Sequence, residues 1–225
     1  MTIVDFDKKK LNEDLTAHVK WRKLPESYKF GFRLTQGLAG WMAYSQAAWR
    51  KKIISEYALY SPIYEIALGR NWKIMPQADI SQTNQRKIAD FFFYKEGNDM
   101  MNTCLLEVKY IKDPQSFSGN IMSDIDKLIE FDISAIRKMK GWNIGSEERI
   151  FLIAGMRKHL CSYFSSVPRE DRKKNFYEYA RKLLDFEPDK CTAAGFLSGG
   201  VGNSDARFCI IGFRYQPYWE DLFYP

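Results

Sequence analysis

The chain has 225 residues and a formal net charge of +6, a length that gives one domain a substantial core and makes a second full domain cramped. An apolar share of 45% with 16% aromatic residues excludes a disordered chain. No run reaches the ~18–20 apolar residues that cross a bilayer, so no membrane partner is expected, and the basic balance suits a polyanionic one.

The first residues, MTIVDFDKKKLNEDL, are charged and lack the apolar core of a signal peptide, which makes cytoplasmic the expected location. Phe6, Leu11, Leu15 and Val19 recur at helical intervals. They open a basic helical extension, about residues 1–38, with Lys8, Lys9, Lys10, Arg22, Lys23, Lys29 and Arg33, which Pro25 and Gly31 should interrupt. This extension is either an arm over a nucleic-acid backbone or an ordinary solvated face. Residues 39–60 read as a helix, with Trp41, Tyr44, Ala48, Ile53 and Tyr57 near one face. Ser61 and Pro62 then mark a new helix start, and the short helix carries Glu65 and ends at Asn71. Residues 72–80 could supply a first strand, which Pro76 should keep to a few residues. The polar segment 81–87, with Arg86, follows as a loop.

Residues 87–112, KIADFFFYKEGNDMMNTCLLEVKYIK, read as two aromatic-rich strands joined by a Gly/Asn/Asp turn. Strand alternation places Glu107 and Lys109 on one face and Leu106, Val108 and Tyr110 on the other. Charges on a buried strand are costly unless paired or bound to a metal. A carboxylate from each strand, Asp90 and Glu107, can hold Mg²⁺, and a lysine beside them can steady the attacking water or neutralise charge on a phosphate. The plain alternative is an internal Glu–Lys pair, or an edge strand facing water.

A loop at 113–120 leads to one helix capped by Ser123. Asp124 and Asp126 lie in its first turn, Ile125, Leu128, Ile129, Ile133 and Ile136 form its buried stripe, Lys127 and Arg137 lie off the stripe, and Gly141 closes it. The apolar run 149–154 suits a central strand covered on both faces. A basic helix from Pro168, with Arg169, Arg172, Lys173 and Lys174, either meets phosphates or is solvated. Residues 198–202, SGGVG, lack the Lys-Ser/Thr of a P-loop and read as a turn before a strand at 207–215. The aromatic tail, QPYWEDLFYP, packs on the body or on a second subunit. Cys104, Cys161, Cys191 and Cys209 lack ligand spacing and read as reduced thiols, and two histidines, His18 and His159, argue against a zinc site.

Ala89-Asp90, then strand, turn and strand, then Glu107-Val108-Lys109 resembles the PD-(D/E)xK nuclease superfamily, with Ala89 where the family pattern has proline. The following helix and strand keep the family's element order, so the resemblance spans roughly residues 65–155. It implies an α/β fold, a restriction-endonuclease-like mixed β-sheet core flanked by helices, within a single domain of residues 1–225 whose core motif region is about 61–155. It also implies a Mg²⁺-dependent nuclease, with Mn²⁺ able to substitute, acting on nucleic acid, DNA first, in restriction or defence. Asp90 and Glu107 would hold the metal with the Val108 carbonyl, Lys109 would orient the water, and Glu65 would add a further acid. Arg86, Lys127, Arg172, Lys173 and Lys174 would contact the nucleic acid. Two rivals stand beside this reading: a non-catalytic nucleic-acid-binding or assembly subunit on the same fold, as a homodimer or within a larger complex, and an unrelated α/β enzyme with a closed pocket for a small anion.

Overall fold

A computed structural model of the chain describes residues 25–49, 55–79, 87–112, 121–166, 193–197 and 206–213. Helix α1 (Glu26–Trp49) begins directly after Pro25, whose carbonyl accepts the Lys29 N–H at 3.1 Å. Phe30, Leu34, Leu38 and Met42 repeat every fourth residue and are all buried, which is the pattern of a helix lying on a core. The break expected at Gly31 does not occur. A Cβ at Gly31 would stand 2.6 Å from Ile150 Cδ1, so the glycine serves close approach of the helix to the sheet. Residues 26–38, expected to belong to a basic extension, are therefore part of the core; residues 1–24 lie outside the described residues.

A 3₁₀ turn (Glu56–Leu59) runs into α2 (Tyr60–Leu68), so the helix begins ahead of the Ser61-Pro62 start expected for it. Asn71 takes the left-handed backbone (φ 59°) that ends this segment, with the Trp72 N–H donating back to Ala67 O at 3.0 Å. Strand β1 (Lys73–Asp79) carries Pro76 through its middle, which is tolerated because β1 is an edge strand. Strands β2 (Ile88–Glu96) and β3 (Met101–Ile111) form the expected hairpin, with Asp99 at φ 57° in the turn.

One helix was expected next, and the structure has two, α3 (Ile121–Glu130) and α4 (Ile133–Lys140). Asp132 divides them: its Oδ1 accepts the Ser134 N–H at 2.8 Å and its Oδ2 the Ser134 hydroxyl at 2.5 Å, which starts a new helix there. Strand β4 (Ile144–Met156), helix α5 (Arg157–Ser166) and strands β5 (Ala193–Leu197) and β6 (Ala206–Phe213) complete the described elements.

The strands form one mixed sheet in the order β1-β2-β3-β4-β6-β5. Neighbours β1/β2, β2/β3 and β5/β6 are antiparallel, while β4 runs parallel to both β3 and β6. Parallel neighbours need a long crossover, and α3 and α4 supply the one from β3 to β4. Helices cover both faces. On one, α1 and α2 pack over Phe91, Phe93, Leu106, Val108, Ile150 and Leu152; on the other, α3, α4 and α5 pack over Phe92, Leu105, Ile111, Phe151 and Ile153. The protein is thus an α/β mixed sheet with flanking helices. No helix among the described residues is long and apolar enough to cross a membrane.

Candidate active site

Strands β2 and β3 pair as far as Phe91↔Leu106 and then part. Beyond that pair β3 continues to Ile111 against β4 alone. In the same register Asp90 stands opposite Glu107, at the mouth of the fork. On its other side, the pairs Pro76↔Phe91 and Ala78↔Ala89 straddle Asp90, and Gln77 between them has φ 47°. Left-handed backbone at a non-glycine residue costs of order 1–2 kcal/mol. The β1 pairing thus skips only the position of Asp90 and resumes beyond it, whereas on the β3 side the sheet stays open.

A fork leaves main-chain N–H groups without a facing carbonyl, and buried N–H groups must find acceptors. Here carboxylates take them. The Val108 N–H donates to Asp90 Oδ2 at 2.7 Å, the Asp90 N–H to Glu107 Oε2 at 3.3 Å, and the Tyr110 N–H to Glu56 Oε2 at 3.4 Å. The Tyr60 hydroxyl donates to Asp90 Oδ1 at 2.6 Å. Tyr60 is itself fixed by an edge-to-face contact with Phe91, their centroids 4.7 Å apart.

Glu107 and Lys109 project from β3 on the face where Leu105 and Ile111 meet α3. Two α3 residues complete their shell. Lys127 Nζ lies 2.5 Å from Glu107 Oε1 and 2.9 Å from Asp124 Oδ1, and Lys109 Nζ lies 2.8 Å from Asp124 Oδ2. Asp124 and Lys127 are spaced i, i+3, so both point to the same side of the helix.

The cluster joins four carboxylates (Glu56, Asp90, Glu107 and Asp124) to two ammonium groups (Lys109 and Lys127). This excess of negative charge in a half-buried place favours taking up positive charge. Burial, and then repulsion from Asp90, push the Glu107 carboxyl up to about 7 against the opposing pull of Lys127. Burial and Asp90 also raise Glu56, while Lys109 opposes them. For Lys109 and Lys127 burial alone would lower the ammonium; hydrogen bonds to Asp124, and for Lys127 also to Glu107, outweigh it and hold both raised. Burial, then the bond to Asp90, raise the Tyr60 phenol, so it stays protonated and keeps donating.

Asp90 and Glu107 are oxygen donors, the kind that hard divalent cations take. An ionised carboxylate offers about four lone-pair sites, and Asp90 and Glu107 each spend two on the bonds above. The Val108 carbonyl faces the same strand edge as its N–H, toward the fork. Among the described residues no group of three or more Asp, Glu, His or Cys side chains is placed to hold a metal ion, so side-chain donors here number at most the pair Asp90 and Glu107. An open, oxygen-only set suits Mg²⁺, which keeps several waters and uses one or two carboxylates.

Asp90, Glu107, Val108 and Lys109 thus come together where the motif places them. Glu65 does not join them: it is exposed on α2, where the Ser61 hydroxyl donates to it at 3.3 Å. The acid that the segment ahead of the hairpin brings to the cluster is Glu56. Lys127, expected on nucleic acid, is instead held between Glu107 and Asp124 with its side chain 23% exposed. Arg86, Arg172, Lys173 and Lys174 lie outside the described residues. Sequence reasoning missed Glu56, Tyr60 and the inward turn of Asp124. For Asp124 a signal existed, a Lys three residues on along the same helix; nothing in the sequence around Glu56 or Tyr60 marks them. No family model, curated protein or solved structure matches the chain.

Proposed function

We propose that the chain is a Mg²⁺-dependent nuclease of the PD-(D/E)xK kind on a restriction-endonuclease-like core, hydrolysing phosphodiester bonds of nucleic acid, DNA first. One observation carries this reading: Asp90 and Glu107 face each other in a strand fork, with Lys109 two residues farther along the same strand face. Asp90 and Glu107, with the Val108 carbonyl, would hold the ion. Bound there, a divalent cation would polarise the scissile phosphate and lower the pKa of a coordinated water. Tyr60 and the Val108 N–H fix the Asp90 carboxylate before substrate arrives. Asp124 aims the Lys109 ammonium, which then stabilises negative charge on a phosphate oxygen or orients the nucleophile. Glu56, beside both Asp90 and Lys109, takes the place expected of Glu65 as the supplementary acid.

The test is cleavage of supercoiled plasmid and of single-stranded RNA with Mg²⁺, Mn²⁺ or EDTA, using the unmodified chain and Asp90→Ala, Glu107→Ala and Lys109→Ala. Metal-dependent cutting that all three substitutions abolish is the expected result. Absence of cutting on both substrates, with no divalent-ion binding, would falsify the nuclease. A second reading, a non-catalytic binding or assembly subunit, draws support from Lys127: its contact with Glu107 lets the cluster serve as a self-contained plug for the strand fork.

A further inference from the structure

The 3₁₀ turn that delivers Glu56 to the carboxylate cluster also carries a side chain that the chemistry above leaves unused. Side chains three apart eclipse in a 3₁₀ helix, so Glu56 lies over the buried Leu59, and Tyr57 lies over Tyr60. Tyr57 is 72% exposed, the most exposed large apolar side chain among the described residues. Its ring meets Tyr60 edge-to-face, with centroids 5.3 Å apart and planes at 65°. The Tyr60 hydroxyl is the group that holds Asp90 Oδ1 at 2.6 Å, so Tyr57 stands one ring away from that acid. The series Phe91, Tyr60, Tyr57 runs from the core past the cluster to solvent, each ring braced edge-on by the one before it. An edge-to-face contact covers at most one face of Tyr57, and the other is left to solvent. A single exposed tyrosine is ordinary; this one is held in orientation at the rim of the cluster while burying little of its own surface.

We propose that Tyr57 is a stacking platform for one unpaired nucleobase beside the cluster, so that the site takes nucleic acid in single-stranded form. This rests on the nuclease reading for the class of ligand and adds the form of it that is bound. Every base has a π face, so an aromatic ring holds a single strand whatever its sequence. In a duplex each base is already stacked and paired, and a ring at the side of the strand reaches only a base that has left the helix. Charge favours such a contact here. The cluster has four carboxylates, Glu56, Asp90, Glu107 and Asp124, against two ammonium groups, and this excess repels phosphates. A ring that grips the base is not subject to that repulsion. The brace from Tyr60 orients the ring beforehand, which lowers the entropy lost on binding.

Fluorescence anisotropy of an end-labelled oligothymidylate, in EDTA so that nothing is cut, tests the proposal against the same sugar–phosphate strand without bases. The unmodified chain should bind the strand with bases about tenfold more tightly. Tyr57→Phe should keep this advantage. Tyr57→Leu, which leaves an apolar contact for Tyr60 and offers no ring face, should lose it, while affinity for the abasic strand stays the same in all three proteins. An advantage that survives Tyr57→Leu, equal binding of the two strands by the unmodified chain, or binding of neither, overturns the platform. The nuclease reading fails separately. Plasmid and RNA left uncut with Mg²⁺ and Mn²⁺ would remove the nuclease and leave the base contact measured here. Metal-dependent cutting by a chain indifferent to bases would remove the platform and leave the nuclease.

Discussion

Lys127 Nζ lies 2.5 Å from Glu107 Oε1, although the two residues stand on different elements and twenty positions apart. The ammonium occupies one flank of the carboxylate, while the Asp90 N–H occupies the other oxygen. Glu107 is thereby held in place even though burial and Asp90 disfavour its charge.

The first expected consequence is a pH dependence. Glu107 titrates near 7 in the folded chain against an ordinary 4.5, so the native state binds the proton more tightly than the unfolded state does. Stability should be greatest below the unfolded value, fall as pH rises from 4.5 to 7, and level off above it, a loss of order 3 kcal/mol. Glu56, also raised, adds in the same sense. Urea midpoints in EDTA between about pH 5 and 8 should decline for the unmodified chain and stay flatter for Glu107→Gln. Parallel curves for the two proteins would remove Glu107 as the group responsible.

Divalent cation should reverse that loss. At a hundredfold excess over its dissociation constant an ion bound only by the native state adds about 2.7 kcal/mol. We expect Mg²⁺ or Mn²⁺ to raise the melting temperature above neutral pH, and Asp90→Ala to abolish the rise. Lys109→Met should keep it while losing cleavage, since Lys109 pairs with Asp124 and is not a ligand. A melting temperature indifferent to both ions in the unmodified chain would argue for the fork plug.

Tyr60→Phe removes one hydroxyl and leaves the ring on Phe91. Loss of a hydrogen bond to a charged group should cost about 1.5–3 kcal/mol at most, and less here because Tyr60 is only half-buried. Metal affinity should fall about tenfold or more, the usual effect of deleting a partner that orients a ligand. Mn²⁺ titration of this variant decides whether the hydroxyl positions Asp90; an unchanged isotherm shows that it does not.

Gly31→Ala places a methyl 2.6 Å from Ile150 Cδ1. The clash should cost about 1–3 kcal/mol, partly offset by a gain of up to ~1 kcal/mol in helix propensity. Ile150→Val removes the opposing methyl. In a double-mutant cycle the pair should therefore lose less than the sum of the single variants, and strict additivity would show that α1 and β4 do not meet there.

The hairpin and the facing of Asp90 and Glu107 were legible because both rest on local pattern: alternation along strands, a Gly/Asn/Asp turn, and equal spacing from that turn. The edge position of β1 was not, since Pro76 alone told only of a short strand. Gly31 misled for a related reason: a glycine inside a helix reads as a breaker until the Ile150 side chain packed above it is known. Glu56 and Glu65 lie on consecutive elements, and choosing between them requires the turn that carries Glu56 toward Tyr110. Asp124 read only as a first-turn residue of its helix; its inward aim depends on which face of α3 the sheet covers, and that is a tertiary fact.

The order in which the cluster's parts come together has a kinetic consequence. Asp90 and Glu107 are brought face to face by a hairpin, whose contacts are close in sequence, whereas Lys127 arrives only when α3 docks along the crossover that joins β3 to parallel β4. Local hairpins close faster than long-range parallel pairings, so the two carboxylates should meet before their counter-ion reaches them. The rate-limiting step would then carry their repulsion without its relief, and folding should slow as pH rises through neutrality. Lys127→Met should mainly accelerate unfolding, with a small effect on the folding limb of the chevron. Displacement of the folding limb with the unfolding limb unchanged would place the docking of α3 before the barrier, and the site would then assemble in one step.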